Sequence, residues 1–282
     1  MLTDSYLHRL DALRLRISHP ARGGAGGARR SRALGSSAEF SDFREYAPGD
    51  DIRRIDWNAY ARFDRLFMKL FMEEQESAVT VAVDGSASMG EKREAAVKAA
   101  EAVSYLALTG GDRLRLIWLR ERDALISPPY AGRAAYPKAA DFLKAQAMDG
   151  RTDLPAALRS VDPYPRGMTF LITDGYQEDG LEKTLDLLLY RRQEAALIQA
   201  LSAFEMAPDL EGALRLQDAE GAPDLDILMD GAALRQYQDT LSAFLRDSRA
   251  ACHGRGIGYL LLDGRQDFEE TFLHALSQSG IL

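Results

Sequence analysis

The feature that most constrains the fold is the regular alternation, from residue 78 onward, of short apolar segments with longer stretches of helical periodicity. The apolar segments have the length of strands, and the stretches between them repeat apolar residues every three to four positions. Parallel strands need crossover connections, which are usually helices. The pattern therefore predicts an α/β fold, a doubly wound and mostly parallel sheet with helices on both faces. The predicted strands are 78–83, 114–119, 124–127, 168–173, 195–201 and 258–262, and the predicted helices are 92–108, 134–147, 154–160, 181–190 and 231–253.

Three segments are expected along the chain. The segment 1–36 begins with apolar residues at helical spacing, which predict a helix that ends before a proline. A Gly/Arg/Ser-rich stretch follows, and its composition is typical of a flexible linker. Residues 37–76 are aromatic and charged, include a predicted strand at 63–74, and are expected to form an extension packed on the main domain. Residues 77–282 are expected to form the main domain, in which the turn-rich segment 204–228 is interpreted as a small inserted β-hairpin. The apolar residues of the predicted N-terminal helix are Leu2, Tyr6, Leu10, Leu13 and Ile17.

Polar residues directly follow two of the predicted strands. The first strand of the main domain leads into Asp84, Ser86 and Ser88, whose side chains can point to one side because alternate residues of an extended segment do so. The strand at 168–173 leads into Asp174. Parallel strands align their carboxyl ends, and open α/β sheets bind ligands there, where the strand order reverses. We therefore expect the two aspartates to face one site.

The loop at 150–155 lies between these two points in the sequence and enters a predicted helix. Asp153 is a good N-cap residue there and Pro155 suits the first helical turn, which leaves the hydroxyl of Thr152 free. Carboxylates and hydroxyls without imidazole or thiolate favour Mg²⁺ or Mn²⁺ over Zn²⁺. The sequence therefore predicts a site for Mg²⁺ or Mn²⁺ with room for a ligand from outside. Its predicted metal-binding residues are Asp84, Ser86, Ser88, Thr152 and Asp174.

This set resembles the metal-ion-dependent adhesion site of von Willebrand factor A domains, in which an Asp-x-Ser-x-Ser motif is followed by a threonine and then by an aspartate. All three parts are present in that order, and the resemblance covers the main domain as a fold. It implies that Ser86, Ser88 and Thr152 contact the metal, while Asp84 and Asp174 act directly or through water. It also implies that a carboxylate of a partner protein completes the coordination. This is physically reasonable, because two aspartates only balance the charge of a divalent ion.

The segment before the main domain resembles the signature of the bacterial family called domain of unknown function fifty-eight. With it, the likeness extends over nearly the whole chain from Gly35. Members of that family are usually encoded beside MoxR-type AAA+ ATPases, which implies a chaperone-like or assembly role together with the ATPase. No biochemical activity is firmly attached to the family. The residues that carry the resemblance are Phe40, Asp42, Phe43, Arg44, Glu45, Tyr46, Pro48, Gly49, Asp50, Asp51, Arg53, Ile55, Asp56, Trp57, Ala61 and Arg62.

These observations predict a non-enzymatic protein-interaction module that binds an acidic residue of a partner through the metal. The expected partner is a MoxR-type ATPase or its client. The alternative is a metal-dependent hydrolase acting on phosphoesters, for which Asp153 is the only obvious general base. Taken alone, Asp-x-Ser-x-Ser is also a common turn and helix-cap composition. Asp50, Asp51 and Asp56 either pair with neighbouring arginines or form a nuclease-like carboxylate cluster, and the ion pairs are favoured because no companion Lys or His motif follows.

Composition narrows the classes of protein to which the chain could belong. The 282 residues hold 35 Lys and Arg against 43 Asp and Glu, and the resulting net charge of −8 argues against a nucleic-acid-binding protein. Four arginines of the Gly-rich stretch (Arg22, Arg29, Arg30 and Arg32) could contact phosphate, but a solvated loop is the favoured interpretation. The single cysteine, Cys252, excludes an internal disulfide, and no apolar window is long enough to span a membrane. The chain is therefore expected to be cytoplasmic, to bind no nucleic acid and to insert into no membrane.

Overall fold

The computed structural model describes residues 2–13, 15, 39–47, 52, 55–72, 77–162, 167–177, 180–191, 194–221, 223–279 and 281. The chain divides into two compact units, one of residues 1–17 with 77–282 and the other of residues 18–76. The N-terminal helix therefore groups with the large unit, and not with a separate segment 1–36. The expectation that 37–76 packs on the main domain stays a prediction.

The N-terminal helix, α1 (Asp4–Leu10), is shorter than its apolar pattern predicted. Tyr6 and Leu10 are fully buried in the core of the large unit, as the pattern requires. The helix ends at Asp11, whose carboxylate accepts a 2.7 Å hydrogen bond from the hydroxyl of Tyr105 and a 3.3 Å bond from Arg133. These tertiary contacts hold the chain where the helical period would have continued. Ile17 lies outside the described residues.

The smaller unit contains strand β1 (Glu39–Glu45), helix α2 (Trp57–Phe63) and strand β2 (Phe67–Met72), and the two strands pair antiparallel. The prediction of a strand at 63–74 is wrong about where the strand begins. Asp56 caps α2 by accepting hydrogen bonds from the backbone N–H groups of Asn58 and Ala59, and the helix continues to Phe63. Asp64 then turns the chain with a φ of 50°, so extended structure begins only at Phe67. Asp56 is thus a cap, while Asp50 and Asp51 lie outside the described residues.

The large unit continues with a seven-stranded sheet and its covering helices. Its strands are β3 (Ala78–Asp84), β4 (Arg113–Arg120), β5 (Asp123–Ile126), β6 (Tyr130–Ala131), β7 (Gly167–Thr173), β8 (Glu194–Leu201), β9 (Gly212–Leu216), β10 (Leu225–Met229) and β11 (Gly258–Asp263), of which β9 and β10 pair apart from the main sheet. Its helices are α3 (Arg93–Gly110), α4 (Tyr136–Lys144), α5 (Leu154–Ser160), α6 (Glu182–Tyr190), α7 (Ala203–Met206), α8 (Gly231–His253) and α9 (Phe268–Gln278).

The main sheet has the order β11-β8-β7-β3-β4-β5, with β6 also paired to β4. Strands β11, β8, β7, β3 and β4 are parallel, and β5 and β6 run antiparallel to β4. The predicted doubly wound, mostly parallel α/β fold is confirmed. The chain builds the sheet outward from β3 in one direction and from β7 in the other, so the strand order reverses between these two neighbours. Ligands of such sheets bind at the carboxyl end of this switch point.

Both faces of the sheet are covered, because alternate residues of a strand point to opposite sides. Val81 and Val83 of β3 belong to one core cluster, together with residues of α1, α3 and α9. Ala82 belongs to a second cluster with residues of α5 and α6. The antiparallel pair β9 and β10 confirms the hairpin predicted at 204–228. Within the described residues, the helices are too short or too polar to cross a membrane.

Candidate functional site

Asp84 is the last residue of β3 and lies at the switch point of the sheet. Its side chain is buried, and both of its carboxylate oxygens accept hydrogen bonds. Oδ1 accepts from the backbone N–H of Ser86 at 3.0 Å, and Oδ2 accepts from the hydroxyl of Thr173 at 2.8 Å. Thr173 is the last residue of the neighbouring β7. The side chain of Asp84 therefore joins the carboxyl ends of the two strands between which the order reverses.

Burial, and to a smaller extent the nearby charge of Asp174, raises the pKa of Asp84 to about 6. The hydrogen bonds from Thr173 and Ser86 lower it, but they do not offset the loss of hydration. The environment of the Asp84 carboxylate thus disfavours its ionised form. A cation bound beside it would stabilise the ionised form.

Ser86 and Ser88 bring two hydroxyls together just beyond Asp84. Their Oγ atoms are 3.0 Å apart, and Ser86 is buried. Ser86 precedes a short 3₁₀ turn at Ala87–Met89, but its side chain does not cap that turn. The motif composition alone would make Ser86 a helix cap, but its hydroxyl does not have that role.

The loop that carries Thr152 is attached to the serine loop by the backbone. The N–H of Asp149 donates to the carbonyl of Gly85, and the N–H of Ala87 donates to the carbonyl of Gly150, both at 2.8 Å. Thr152 is 9 % exposed, and its Oγ1 is buried with no hydrogen-bond partner in the described part of the chain. A buried hydroxyl without a partner is costly, so this atom needs an explanation.

Asp153 has the structural role predicted for it. Its Oδ1 accepts a 2.9 Å hydrogen bond from the backbone N–H of Ala156 at the start of α5. Its Oδ2 lies 3.7 Å from Nε of Arg122. The carboxylate is therefore used as a helix cap, which gives it a structural reason to be there without any general-base role.

Asp174 follows β7 and is buried like Asp84. Its Oδ1 accepts from the backbone N–H of Tyr176 at 3.1 Å, and its backbone carbonyl accepts from the side-chain amide of Gln199 at 2.8 Å. Its Oδ2 accepts from Nζ of Lys92 at 2.9 Å. The two predicted aspartates thus lie at the same edge of the sheet, and one of them already has a cationic partner.

Lys92 is the residue that the sequence analysis missed, since it was interpreted only as the start of a helix. Its side chain is 3 % exposed, and Nζ also donates to Oε1 of Glu205 at 2.8 Å. Nζ lies 5.3 Å from the ring centroid of Tyr176. A signal was present, because Lys92 and Arg93 place two cations at the start of α3, the end of a helix that favours negative charge.

The five predicted residues therefore lie on three segments that hydrogen bonds hold together at the carboxyl end of the sheet. Within the described residues no cluster of three or more His, Cys, Asp or Glu side chains could hold a metal. The available oxygens come from two carboxylates and three hydroxyls. With Glu205 and Lys92 included, three carboxylates and one ammonium leave a charge of −2 when all are ionised. That charge, and the unpartnered Thr152 hydroxyl, fit a divalent ion bound by oxygen. Metal binding by these residues stays a prediction.

The sequence pattern of a family described as a protein of unknown function, DUF58, matches residues 42–246. The chain belongs to the DUF58 family. The family expected from the signature at residues 40–62 is thereby confirmed. Uncharacterised proteins of Mycobacterium bovis and Mycobacterium tuberculosis are 28 % identical to it over 246 residues, which is 83 % of this chain and 77 % of theirs.

Solved structures similar to this DUF58 chain include a conserved hypothetical protein and a VWA domain. The conserved hypothetical protein BatB of Bacteroides thetaiotaomicron is 16 % identical with a TM-score of 0.42, over 72 % of this chain and 98 % of that one. The VWA domain of SpRpn10 is 9 % identical with a TM-score of 0.38, over 73 % and 96 % of the two chains.

A cleft of about 840 Å³ opens beside the site of this DUF58 protein. Ser88 lies at its edge, and its wall includes Tyr176 and Phe244, whose rings stack with centroids 5.1 Å apart. The turn between β9 and β10 forms another wall, where Glu220 pairs with Arg151 at 3.3 Å. The cleft is large enough to admit a side chain from another protein as far as Ser88.

Gly85 is required by the close packing of the site, and replacing it by alanine is expected to destabilise the protein. A Cβ atom there would meet the indole of Trp118 and lie 2.6 Å from the backbone carbonyl of Leu119. The indole is itself fixed by a 3.0 Å hydrogen bond to the carbonyl of Ala147. We expect Gly85→Ala to lower the free energy of unfolding by about 1–3 kcal/mol in urea denaturation.

The matched control is Gly231→Ala at the first residue of α8. A Cβ atom there would have its nearest contact at 3.7 Å, an ordinary distance to the end of an arginine side chain. This substitution is expected to leave stability unchanged or to raise it slightly, since alanine is the better helix former. Equal stability of the two variants would contradict the close packing described at Gly85.

Proposed function

We propose that this protein is a non-enzymatic interaction module that binds an acidic residue of a partner protein through Mg²⁺ or Mn²⁺. The residues that would hold the ion are Asp84, Ser86, Ser88, Thr152 and Asp174. The observation that carries the proposal is the buried, unpartnered Oγ1 of Thr152 on a loop tied to the serine loop. A bound cation would give that oxygen the partner it lacks within the described residues.

The chemistry that the ion supplies is that of a Lewis acid with an open coordination position. Hydroxyls add no negative charge, so the two aspartates balance a divalent ion and leave it able to attract one more carboxylate. The cleft beside Ser88 supports access from outside. The residues of the chain would orient the ion, exclude part of its water and leave the side facing the cleft for the partner.

The proposed partner is a MoxR-type AAA+ ATPase or a client of that ATPase. Membership of the DUF58 family supports this, because the resemblance to that family implies a role in the assembly or maturation of other proteins together with such an ATPase. The carboxylate that completes the site would come from one of these proteins.

Capture of a purified MoxR-type ATPase tests the proposal. Since the ATPase needs Mg²⁺ for its nucleotide, the metal concentration should stay constant and the site should be changed instead. We expect immobilised wild-type protein to bind the ATPase, and Asp174→Asn to reduce the affinity at least about tenfold. Asp153→Asn is the matched control, because asparagine also caps a helix. Equal capture by the wild type and Asp174→Asn would overturn the proposed metal-dependent docking.

The phosphoester hydrolase alternative needs a general base near the ion. Asp153, the candidate from the sequence, caps α5 and pairs with Arg122. We therefore expect no Mn²⁺-dependent hydrolysis of p-nitrophenyl phosphate or its bis ester by the purified protein. Mn²⁺-dependent turnover by the wild type that disappears both in Asp153→Asn and in Ser86→Ala would contradict the non-enzymatic proposal.

A further inference from the structure

Lys92 places a positive charge at the proposed metal site from inside the protein. Its ammonium is fixed by three groups on two segments of the large unit: Asp174 and the ring of Tyr176 after β7, and Glu205 in α7. The side chain is 3 % exposed, so water does little to solvate its charge. An ammonium buried to this degree needs anionic partners, and the two carboxylates supply them.

Asp174 has few free positions for a metal ion. Its Oδ1 accepts the N–H of Tyr176, and its Oδ2 accepts Nζ of Lys92 at 2.9 Å. A divalent ion that binds Asp174 must either share Oδ2 with the ammonium or replace it. Sharing places two positive charges on one oxygen, and replacement breaks a buried ion pair, so both routes weaken metal binding.

The structure also gives Lys92 a second partner to which it can turn. Glu205 accepts Nζ at 2.8 Å and is held in place independently of Asp174. Its carboxylate accepts the backbone N–H of Ser202 in a capping box, and its backbone carbonyl accepts the hydroxyl of Tyr237 at 2.7 Å. Lys92 can therefore release Asp174 without becoming an unpaired buried charge.

We propose that Lys92 is an internal cation that competes with the divalent ion for Asp174 and so keeps the metal affinity of the unpartnered protein low. This inference rests on the proposed function, since it concerns the same site. It assigns to Lys92 a positioning role: the lysine determines when Asp174 is available to the metal. A carboxylate brought by the partner adds negative charge and shifts the competition toward the metal.

The test is a titration of Mn²⁺ alone into the 282-residue protein without a partner. Binding is measured by isothermal calorimetry and by the EPR signal of free Mn²⁺. Lys92→Met removes the ammonium but keeps an unbranched side chain of similar length. We expect it to bind Mn²⁺ at least about tenfold more tightly than the wild type. Lys98→Met is the matched control, because Lys98 lies on the same helix but pairs with Glu94. It should bind Mn²⁺ as the wild type does.

The outcomes separate the inference from the function on which it rests. If the wild type and Lys92→Met bind Mn²⁺ equally, the metal site stands and the competition is overturned. If only Lys92→Met binds Mn²⁺, the competition is supported, and capture of the ATPase by the wild type and by Asp174→Asn then decides the metal-dependent function. If neither binds Mn²⁺, the metal site is overturned and the inference falls with it.

A second variant covers the case in which Lys92→Met fails to fold, since it leaves two buried carboxylates without their cation. Glu205→Gln keeps the lysine, and glutamine serves a capping box as well as glutamate does. Lys92 then has Asp174 as its remaining carboxylate partner in the described site, so it should hold Asp174 more firmly. We expect Mn²⁺ affinity to fall at least about threefold. An unchanged affinity would overturn the competition.

Discussion

Replacing Asp84 by asparagine is expected to abolish Mn²⁺ binding at pH 7. The carboxylate lies at the switch point of the sheet. Of the two aspartates of the site, Asp174 pairs with the ammonium of Lys92, whereas Asp84 accepts hydrogen bonds from Ser86 and Thr173. Loss of a group that merely orients a metal ligand costs about 10- to 100-fold in affinity, and loss of a charged ligand costs more. We therefore expect the affinity for Mn²⁺, measured by calorimetry, to fall by more than about 100-fold.

The fold of Asp84→Asn should survive, which makes the loss of binding interpretable. The amide oxygen can accept the N–H of Ser86, and the amide N–H₂ can donate to the hydroxyl oxygen of Thr173, since a hydroxyl both donates and accepts. Asp153→Asn is the control, because it removes the same charge from a carboxylate that caps α5. Retained Mn²⁺ binding in Asp84→Asn, or equal loss in both variants, would contradict the assignment of Asp84.

The edge of the sheet at which the site lies could be predicted because the physical signal is local. The β-branched run before Asp84 and the run before Asp174 have the length and composition of buried strands, and both lead into an aspartate followed by glycine. Parallel strands then have to align these ends. The hydrogen bond between Asp84 and Thr173 is the direct consequence of that alignment.

The elements predicted wrongly are those whose ends depend on single polar contacts. The strand expected from residue 63 is a helix at Phe63, because the cap at Asp56 starts α2 and no apolar period reveals it. The N-terminal helix stops at Leu10, since Tyr105, 94 residues away in sequence, holds the carboxylate of Asp11. Hydrophobic periodicity carries no information about such partners.

Lys92 escaped prediction for a related reason. In the sequence it precedes a helix rich in alanine, where a lysine is usually solvated at the surface. Its burial depends on Glu205, which is 113 residues away and belongs to the segment before the hairpin. The composition of the site could be inferred from motifs, but its net charge could not, because the charge depends on a contact between distant elements.

The buried charge of Asp84 is also expected to make stability depend on pH in the metal-free protein. Its pKa is about 6 in the folded state, against an ordinary value of 3.8. The folded state therefore binds more protons than the unfolded state between these values, and stability falls as the pH rises through this window. Since a pKa difference of one corresponds to about 1.4 kcal/mol, Asp84 should cost about 3 kcal/mol above pH 6 and nothing below pH 4.

Urea denaturation in EDTA, from pH 4 to 7, measures this effect as the difference between the wild type and Asp84→Asn. The asparagine variant should be about 3 kcal/mol more stable at pH 7 and equally stable at pH 4.

Asp230→Asn gives a control of opposite sign, because the backbone N–H groups of Ala233 and Ala232 lower the pKa of Asp230 at the start of α8. Its carboxylate stabilises the fold above the unfolded pKa, and that contribution is lost as the pH falls. Saturating Mg²⁺ at pH 7 should reverse the difference at Asp84, since only the wild type then binds the ion. If the difference in the free energy of unfolding between the wild type and Asp84→Asn stays constant from pH 4 to 7, the pKa of Asp84 is not raised in the folded state.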